Sequence, residues 1–333
     1  MNIISKSKIW LTVSSALVIL SIAFLAVFGF KYGIDFTGGS LLEVGYLNER
    51  PRIDSIRQAV NELEIGDASI QMGGENNVFL RFQEVSEKKH QEILQKLDEI
   101  GDEKIADAEE SEDKKDSVGI TVEQEGEVSI EEIAMGKSIV LNNIEELRFE
   151  SVGPSIGEEL KIKSLYAIVI VLILIVAYIA WSFRRVSKPV ASWKYGLAAI
   201  VALFHDVMIV LGVFALLGKF AGVEIDTAFV AAILTVLGYS VNDTIVVFDR
   251  IRENLPKSED TFAGTVNTSL NQTIGRSINT SLTTLLVLLS IFFFGGETIK
   301  YFVLALTIGI VAGTYSSIFL ASPLLVVWEK LKK

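Results

Sequence analysis

Apolar and polar positions alternate on two scales along this chain. On the long scale there are six apolar runs of the length that a bilayer core requires, roughly 20 residues in a helix. They are Ile9–Phe30, Ser164–Phe183, Tyr195–Gly218, Thr227–Phe248, Ser277–Gly296 and Tyr301–Trp328. The first follows Lys6 and Lys8, is long for a cleaved signal, and has no small-residue cleavage site after Phe30. It is therefore expected to be a retained anchor. Pro323 is expected to bend or stop the sixth run near its end.

On the short scale, the polar stretch between the first two runs alternates strand and helix patterns. Ser40–Tyr46 reads as a strand, Ile53–Ile65 as an amphipathic helix, Ala68–Met72 as a strand, and Gly73, Gly74, Asn76 and Asn77 as a turn. Val78–Val85 reads as a strand, Ser86–Ile100 as a helix with Ile93, Leu94, Leu97 and Ile100 on one face, and Glu145–Val152 as a last strand. The order β-α-β-β-α-β predicts a ferredoxin-like split unit. Residues 101–143 interrupt it as an acidic insertion. Asp98–Asp116 is expected to be loosely held, with a short hairpin or helix over Gly119–Ile133. The fold class is thus an α-helical membrane protein of six transmembrane helices with one extracytoplasmic α+β ferredoxin-like domain. Its parts are 1–30, 31–160 and 161–333.

Composition sharpens this picture. Half of the 333 residues are hydrophobic and mean hydropathy is +0.45, yet 21% are charged. Membrane helices plus one soluble domain reconcile these values. Residues 31–160 hold 31 acidic and 13 basic side chains, and the remainder holds 10 and 17. An acidic domain argues against nucleic-acid binding, which needs clustered Lys and Arg. There is no cysteine and there are only two histidines, so disulfides, thiolate chemistry and a histidine-rich metal cage are excluded. No cofactor is implied, and no pattern in the outer domain suggests an enzyme.

Basic residues set an expected direction. Arg184, Arg185, Lys188 and Lys194 lie in one loop, and Arg250, Arg252, Lys257 and Arg276 in or beside another. Lys330, Lys332 and Lys333 close the chain, while the opposite short loops carry only Lys219 and Lys300. Both termini are therefore expected in the cytoplasm and residues 31–160 outside. Within 257–275, Phe262, Val266, Leu270 and Ile274 recur every fourth residue, which predicts an amphipathic helix on the cytoplasmic membrane face.

Candidate chemistry sits inside the spans. Asp243 lies in the fourth, roughly 10 Å from the edge marked by Arg250. A charge there costs at least about 2.5 kcal/mol and commonly marks an ion or substrate path. Thr235, Tyr239 and Asp243 share a helical face that could hold a short water chain. His205 and Asp206 in the third span either pass a proton or pin two helices together. Arg276 opens the fifth span below a polar strip of Asn279, Thr280, Thr283 and Thr284. It is either an ordinary anchor or a partner for Asp243, where pairing would favour the charged carboxylate and desolvation the neutral one. Gly309 and Gly313 in the sixth span form a G-x-x-x-G pattern for close helix contact. Gly33-Ile34-Asp35-Phe36-Thr37-Gly38-Gly39 is glycine-rich but lacks the lysine of a phosphate-binding loop.

Gly33–Gly39 resembles the signature of the SecD/SecF family of protein-export membrane proteins, within the resistance-nodulation-division superfamily. So do Val152-Gly153-Pro154-Ser155, His205-Asp206-Val207, Gly238–Asn254 and the Gly295-Gly296 turn. One modest outer domain is similar to the SecF half. The resemblance implies pairing with SecD to make twelve spans, binding to the SecYEG channel, and use of protons to draw exported unfolded polypeptide outward. It also implies that Gly33, Asp35, Gly38 and Gly39 are the family signature, that Asp243 is the proton-carrying carboxylate, and that Arg276, Asp206 and His205 belong to its relay. A proton falling through 100 mV supplies about 2.3 kcal/mol, enough to bias a two-state motion roughly fiftyfold. Other classes with the same bundle are a proton-coupled small-molecule or lipid exporter, an aspartyl protease using Asp206 and Asp243, and a passive scaffold.

Overall fold

The computed structural model describes residues 2–63, 65–66, 68–109, 139–182 and 191–330. Helices account for most of it: α1 (Ser7–Phe28), α2 (Ile34–Thr37), α3 (Ile53–Glu62), α4 (Glu87–Glu109), α5 (Pro154–Ser182), α6 (Ser192–Ala221), α7 (Thr227–Asn254), α8 (Phe262–Phe294), α9 (Glu297–Ser316) and α10 (Ser322–Lys330). The strands are β1 (Gly39–Tyr46), β2 (Ser69–Gly73), β3 (Asn77–Phe82) and β4 (Ile144–Val152). The chain divides into two compact units, 1–33 with 160–333, and 34–159.

In the unit 34–159 the four strands pair in the order β2-β3-β1-β4, every neighbour antiparallel. This is the split β-α-β-β-α-β arrangement expected from the alternating pattern. Pairing sets Leu42 opposite Leu80 and Val44 opposite Val78. These residues and Phe82 are buried together with Ile56 and Val60 of α3 and Ile93, Leu94 and Leu97 of α4. Tyr46 ends β1 beneath α4, where its hydroxyl donates to the Leu97 carbonyl at 3.3 Å. Burial pushes that phenol above its usual range, and nearby Asp98 adds to the shift.

Helix α4 runs further than the hydrophobic face predicts. It continues through the acidic residues 101–109 instead of stopping at Ile100. Near the end of its apolar face, the Asn143 backbone N–H donates to Asp98 Oδ1 at 2.7 Å and the Asn143 Nδ2 donates to the Asp98 carbonyl at 3.2 Å. The returning chain thereby holds α4 where its apolar face ends. The expected hairpin or helix over Gly119–Ile133 and the basic loop residues 184–188 lie outside the described residues.

Six helices match the predicted spans in length and apolar character: Ile4–Phe28, Pro154–Ser182, Trp193–Ala221, Thr227–Lys257, Phe262–Phe294 and Thr298–Lys330. Local signals bound them. The third ends on Gly222 in a left-handed conformation (φ 68°). The fourth begins after Asp226, whose side chain accepts from the Phe229 N–H at 2.7 Å. The fifth begins after Thr261, which accepts from Gly264 N–H at 3.2 Å.

Two expectations change here. The amphipathic stretch 257–275 is not a separate surface helix. Phe262–Phe294 is one continuous helix, and Phe262, Val266 and Leu270 are buried in the same cluster as Ile3, Ile4, Phe248 and Ile251. Asn267 Oδ1 accepts from the backbone N–H of Ile3 and Ile4 at 2.9 and 3.3 Å. The apolar stripe is thus covered by protein, not lipid. The sixth span does not simply bend at Pro323. A π turn over Ser317–Ala321 precedes the proline. Proline lacks an N–H and its ring crowds the carbonyl four residues back, here Phe319, so the preceding turn widens.

Candidate functional site

The two buried carboxylates of the helical unit, Asp206 and Asp243, lie where α6, α7, α8 and the sixth span meet. Helix α9 approaches α7 through its glycines. A Cβ on Gly309 would stand 2.2 Å from Val236 Cγ2, and one on Gly313 would stand 2.8 Å from Ser240 Cβ. The G-x-x-x-G pattern therefore does bring two backbones close, and it does so beside the carboxylates.

Asp243 is 7% exposed and Asp206 is fully buried. Hydroxyl groups hold both. Ser277 Oγ of α8 donates to Asp243 Oδ1 at 2.6 Å, and Ser317 Oγ of the π turn donates to Oδ2 at 2.5 Å. Asp206 accepts from Ser240 Oγ of α7 at 2.5 Å and from Ser316 Oγ of α9 at 2.8 Å, both on Oδ2. His205 Nδ1 lies 2.9 Å from Asp206 Oδ1. With the proton on Nδ1, that nitrogen donates to the carboxylate. His205 Nε2 is then a buried nitrogen without a hydrogen-bond partner among the described residues, on a ring stacked over Tyr315 at 5.8 Å between centroids.

One turn along α7 from Asp243, the Tyr239 hydroxyl donates to Ser281 Oγ at 3.3 Å, and Ser281 and Thr314 share a bond of 2.5 Å. Tyr239 and Asp243 thus sit on one polar face, as their spacing predicts. Thr235 is instead exposed, and its hydroxyl donates to the Ala231 carbonyl.

Arg276 does not meet Asp243. It lines a groove of about 290 Å³ with Val246, Asp249, Arg250, Glu253, Gln272 and Thr273. Successive residues on a helix point about 100° apart. The packing of α8 turns Ser277, not Arg276, onto the carboxylate. The two aspartates also do not share a hydrogen bond, since each has its own serines. Among the described residues no three His, Asp or Glu side chains form a metal-binding set.

The glycine-rich segment serves the fold of the unit 34–159. Gly38 has φ +73°, and a Cβ there would stand 2.7 Å from Pro154 Cα. Gly39 has φ +120°, and its Cβ would meet the Phe82 carbonyl oxygen at 2.7 Å. A side chain on Gly157 would meet Gly38 N at 3.0 Å. Asp35 is held in the short α2, and the Gly33 N–H donates to the Ile225 carbonyl at 2.8 Å. The motifs around Gly38 and Pro154 are thus two sides of one close contact. Only glycine tolerates it, which accounts for the glycines by backbone geometry.

The serine partners were not legible as site residues. Their only signal is a run of small polar residues, Ser277, Ser281, Ser316 and Ser317, inside otherwise apolar spans.

Comparison with known proteins follows the same motifs. The family described as "Protein export membrane protein SecD/SecF, C-terminal" matches residues 133–331, and "SecD/SecF GG Motif" matches 23–46. This chain belongs to the SecD/SecF family. The protein translocase subunit SecF of Thermobaculum terrenum is 43% identical over 318 residues, covering 95% of this chain and 90% of the relative. That of Desulfurispirillum indicum is 39% identical over 325 residues, covering 95% and 88%. Among solved structures, SecDF, a translocon-associated membrane protein from Thermus thermophilus, matches with a TM-score of 0.73 at 30% identity. The match covers 99% of this chain, and this chain spans 39% of that larger one. A family member with these six helices is a multi-pass membrane protein.

Proposed function

We propose that this chain is the SecF half of a SecDF-type accessory to the Sec protein translocase, and that proton flow through its helical unit promotes export of unfolded polypeptide. SecD is its partner in the membrane and SecYEG the channel it serves. Both termini lie in the cytoplasm of the cell membrane and the unit 34–159 faces outward, in line with the Lys and Arg bias of the short loops.

One observation carries the reading: Asp243 is buried within a span, and among the described residues only hydroxyls hydrogen-bond to it. A serine is both donor and acceptor. Ser277 and Ser317 donate to the ionised carboxylate, and either can accept from the protonated one. The site is thus satisfied in both charge states, which a fixed lysine or arginine partner would not allow. Arg276, in the groove next to Ser277, provides a positive charge near the polar path without clamping the carboxylate. His205 and Asp206 form the second proton-holding pair. Protonation of Asp243 changes the charge between the fourth, fifth and sixth spans, and the outward unit responds.

Asp243→Asn keeps the shape and removes the titrating group. Export of a secreted reporter from intact cells should fall to the level seen without a proton gradient and should no longer respond to gradient collapse. Parent-like export with an unchanged response would refute proton coupling through this residue.

A further inference from the structure

The sixth span meets both carboxylates through two consecutive residues. Ser316 donates to Asp206 and Ser317 to Asp243. Each hydroxyl has one proton and a second acceptor within reach. Ser316 Oγ lies 3.2 Å from the Gly313 carbonyl, and Ser317 Oγ lies 3.1 Å from the Thr314 carbonyl. The π turn begins at Ser317, and Ser322 Oγ bonds back to the Ser317 carbonyl at 3.2 Å.

We propose that Ser317 is a positioning residue that converts proton occupancy of Asp243 into a change of shape at the π turn, with Ser316 on Asp206 as the fixed anchor. This rests on the proton-coupled reading above. When Asp243 is ionised, the Ser317 proton points at Oδ2. When Asp243 takes a proton, its O–H donates to Ser317 Oγ, and Ser317 turns its own proton to the Thr314 carbonyl. No polar atom is orphaned in either state.

The second state has a backbone consequence. In an α-helix the Thr314 carbonyl accepts from the N–H of Ile318, the second residue of the π turn. A serine proton on that carbonyl competes with the backbone bond and bends the helix. The turn already lacks one donor, because Pro323 offers none to Phe319. Single π turns inside α-helices are concentrated at functional sites.

The anchor differs from the moving pole. Among the described residues Asp206 receives His205 and two serines, whereas Asp243 receives two serines only. A proton arriving at Asp206 disturbs more bonds than one arriving at Asp243. Within about one helical turn of the two carboxylates, Ser277 and Ser317, the other titratable or charged groups on the packed elements are Tyr239 on α7, His205 on α6, Arg276 on α8 and Tyr315 on α9, while Asp249, Arg250, Arg252 and Glu253 of α7, Lys194, Tyr195 and Lys219 of α6, and Lys300 and Tyr301 of α9 lie further along their helices. Among the described residues none of them is hydrogen-bonded or ion-paired to Asp243.

The test uses the full chain assembled with its SecD partner in membrane vesicles. Two quantities are followed from acid to alkaline buffer: carbodiimide modification of Asp243 by mass spectrometry, and amide hydrogen exchange, corrected for intrinsic rate, over residues 317–323. In the parent both change with pH together. Ser317→Ala should keep the pH-dependent modification of Asp243 and lose the pH-dependent exchange, because the bond to Thr314 no longer forms. Ser317→Thr, which restores a hydroxyl, should regain it. If the alanine variant does not accumulate, Ser317→Cys, a weaker donor of similar size, should show the exchange response reduced. Retention of the full exchange response without a hydroxyl at 317 would overturn this proposal and leave proton coupling standing. If Asp243 of the parent is modified equally at every pH, the proton-carrying reading falls and takes this proposal with it.

Discussion

Gly313→Ala adds one methyl group where α9 approaches α7 beside the Asp206 site. Its Cβ would stand 2.8 Å from Ser240 Cβ and 3.1 Å from Ser240 Oγ. Ser240 cannot yield freely, because its hydroxyl is committed to Asp206 at 2.5 Å. Relief requires α9 to move off α7 or Ser240 to leave the carboxylate. Overpacking of this kind costs about 1–3 kcal/mol. A lost hydrogen bond to a charged group costs about 1.5–3 kcal/mol. If both occur, the loss is about 2.5–6 kcal/mol, large against typical stabilities. Equilibrium unfolding of the purified protein in mixed detergent, followed by circular dichroism, measures it. Ser240→Gly separates the causes, since it removes the obstructing Cβ together with the hydroxyl. Alone it costs the bond plus about 0.5 kcal/mol of helix propensity. Once it is present, Gly313→Ala should add little, giving a coupling of at least about 1 kcal/mol in the double-mutant cycle. A single alanine variant within about 0.5 kcal/mol of the parent would show that α7 and α9 do not depend on this approach.

Two further outcomes follow from the unit 34–159. Gly38→Ala places a side chain at φ +73° against Pro154, and strain of about 1–3 kcal/mol should appear as faster hydrogen exchange of β1 and the start of α5; unchanged protection would refute the contact. In the same unit His90 is 3% exposed, stacked on Phe149 at 3.8 Å, with Nε2 3.6 Å from Glu146 Oε1. Burial pushes the Glu146 carboxyl above its ordinary value; the His90 imidazole pulls it back, and Glu87 adds to the rise. A carboxyl raised in the folded state holds its proton longer there than in the unfolded chain. Its contribution is therefore most favourable at low pH and is lost as pH climbs from the ordinary glutamate range through the raised value. Glu146→Gln should flatten that part of the stability-against-pH curve, measured by thermal unfolding across it. An unaltered slope would refute the assignment.

Hydropathy alone placed six spans, because lipid demands about 20 apolar residues per helix whatever their neighbours. Alternation placed the strands of the small unit, because a sheet with one buried face needs period two. The strand order follows from the same β-α-β-β-α-β succession. Asp243, Asp206 and His205 also stood out unaided, since ionisable groups are rare in spans. What faces them did not. Arg276 and Ser277 are neighbours in sequence and about 100° apart on the helix, and only the packing of α8 decides which one meets Asp243. Likewise a serine in a span is as well satisfied by its own helix carbonyl as by a partner, so Ser316 and Ser317 carried no mark of their role. The stripe Phe262–Leu270 read equally well against lipid as against Ile3 and Ile4, because apolar periodicity names a buried face without naming what covers it. The composition of the chain determines which groups must be buried and satisfied. The tertiary arrangement decides by whom, because helix phase and approach distance are set by contacts between segments far apart in sequence.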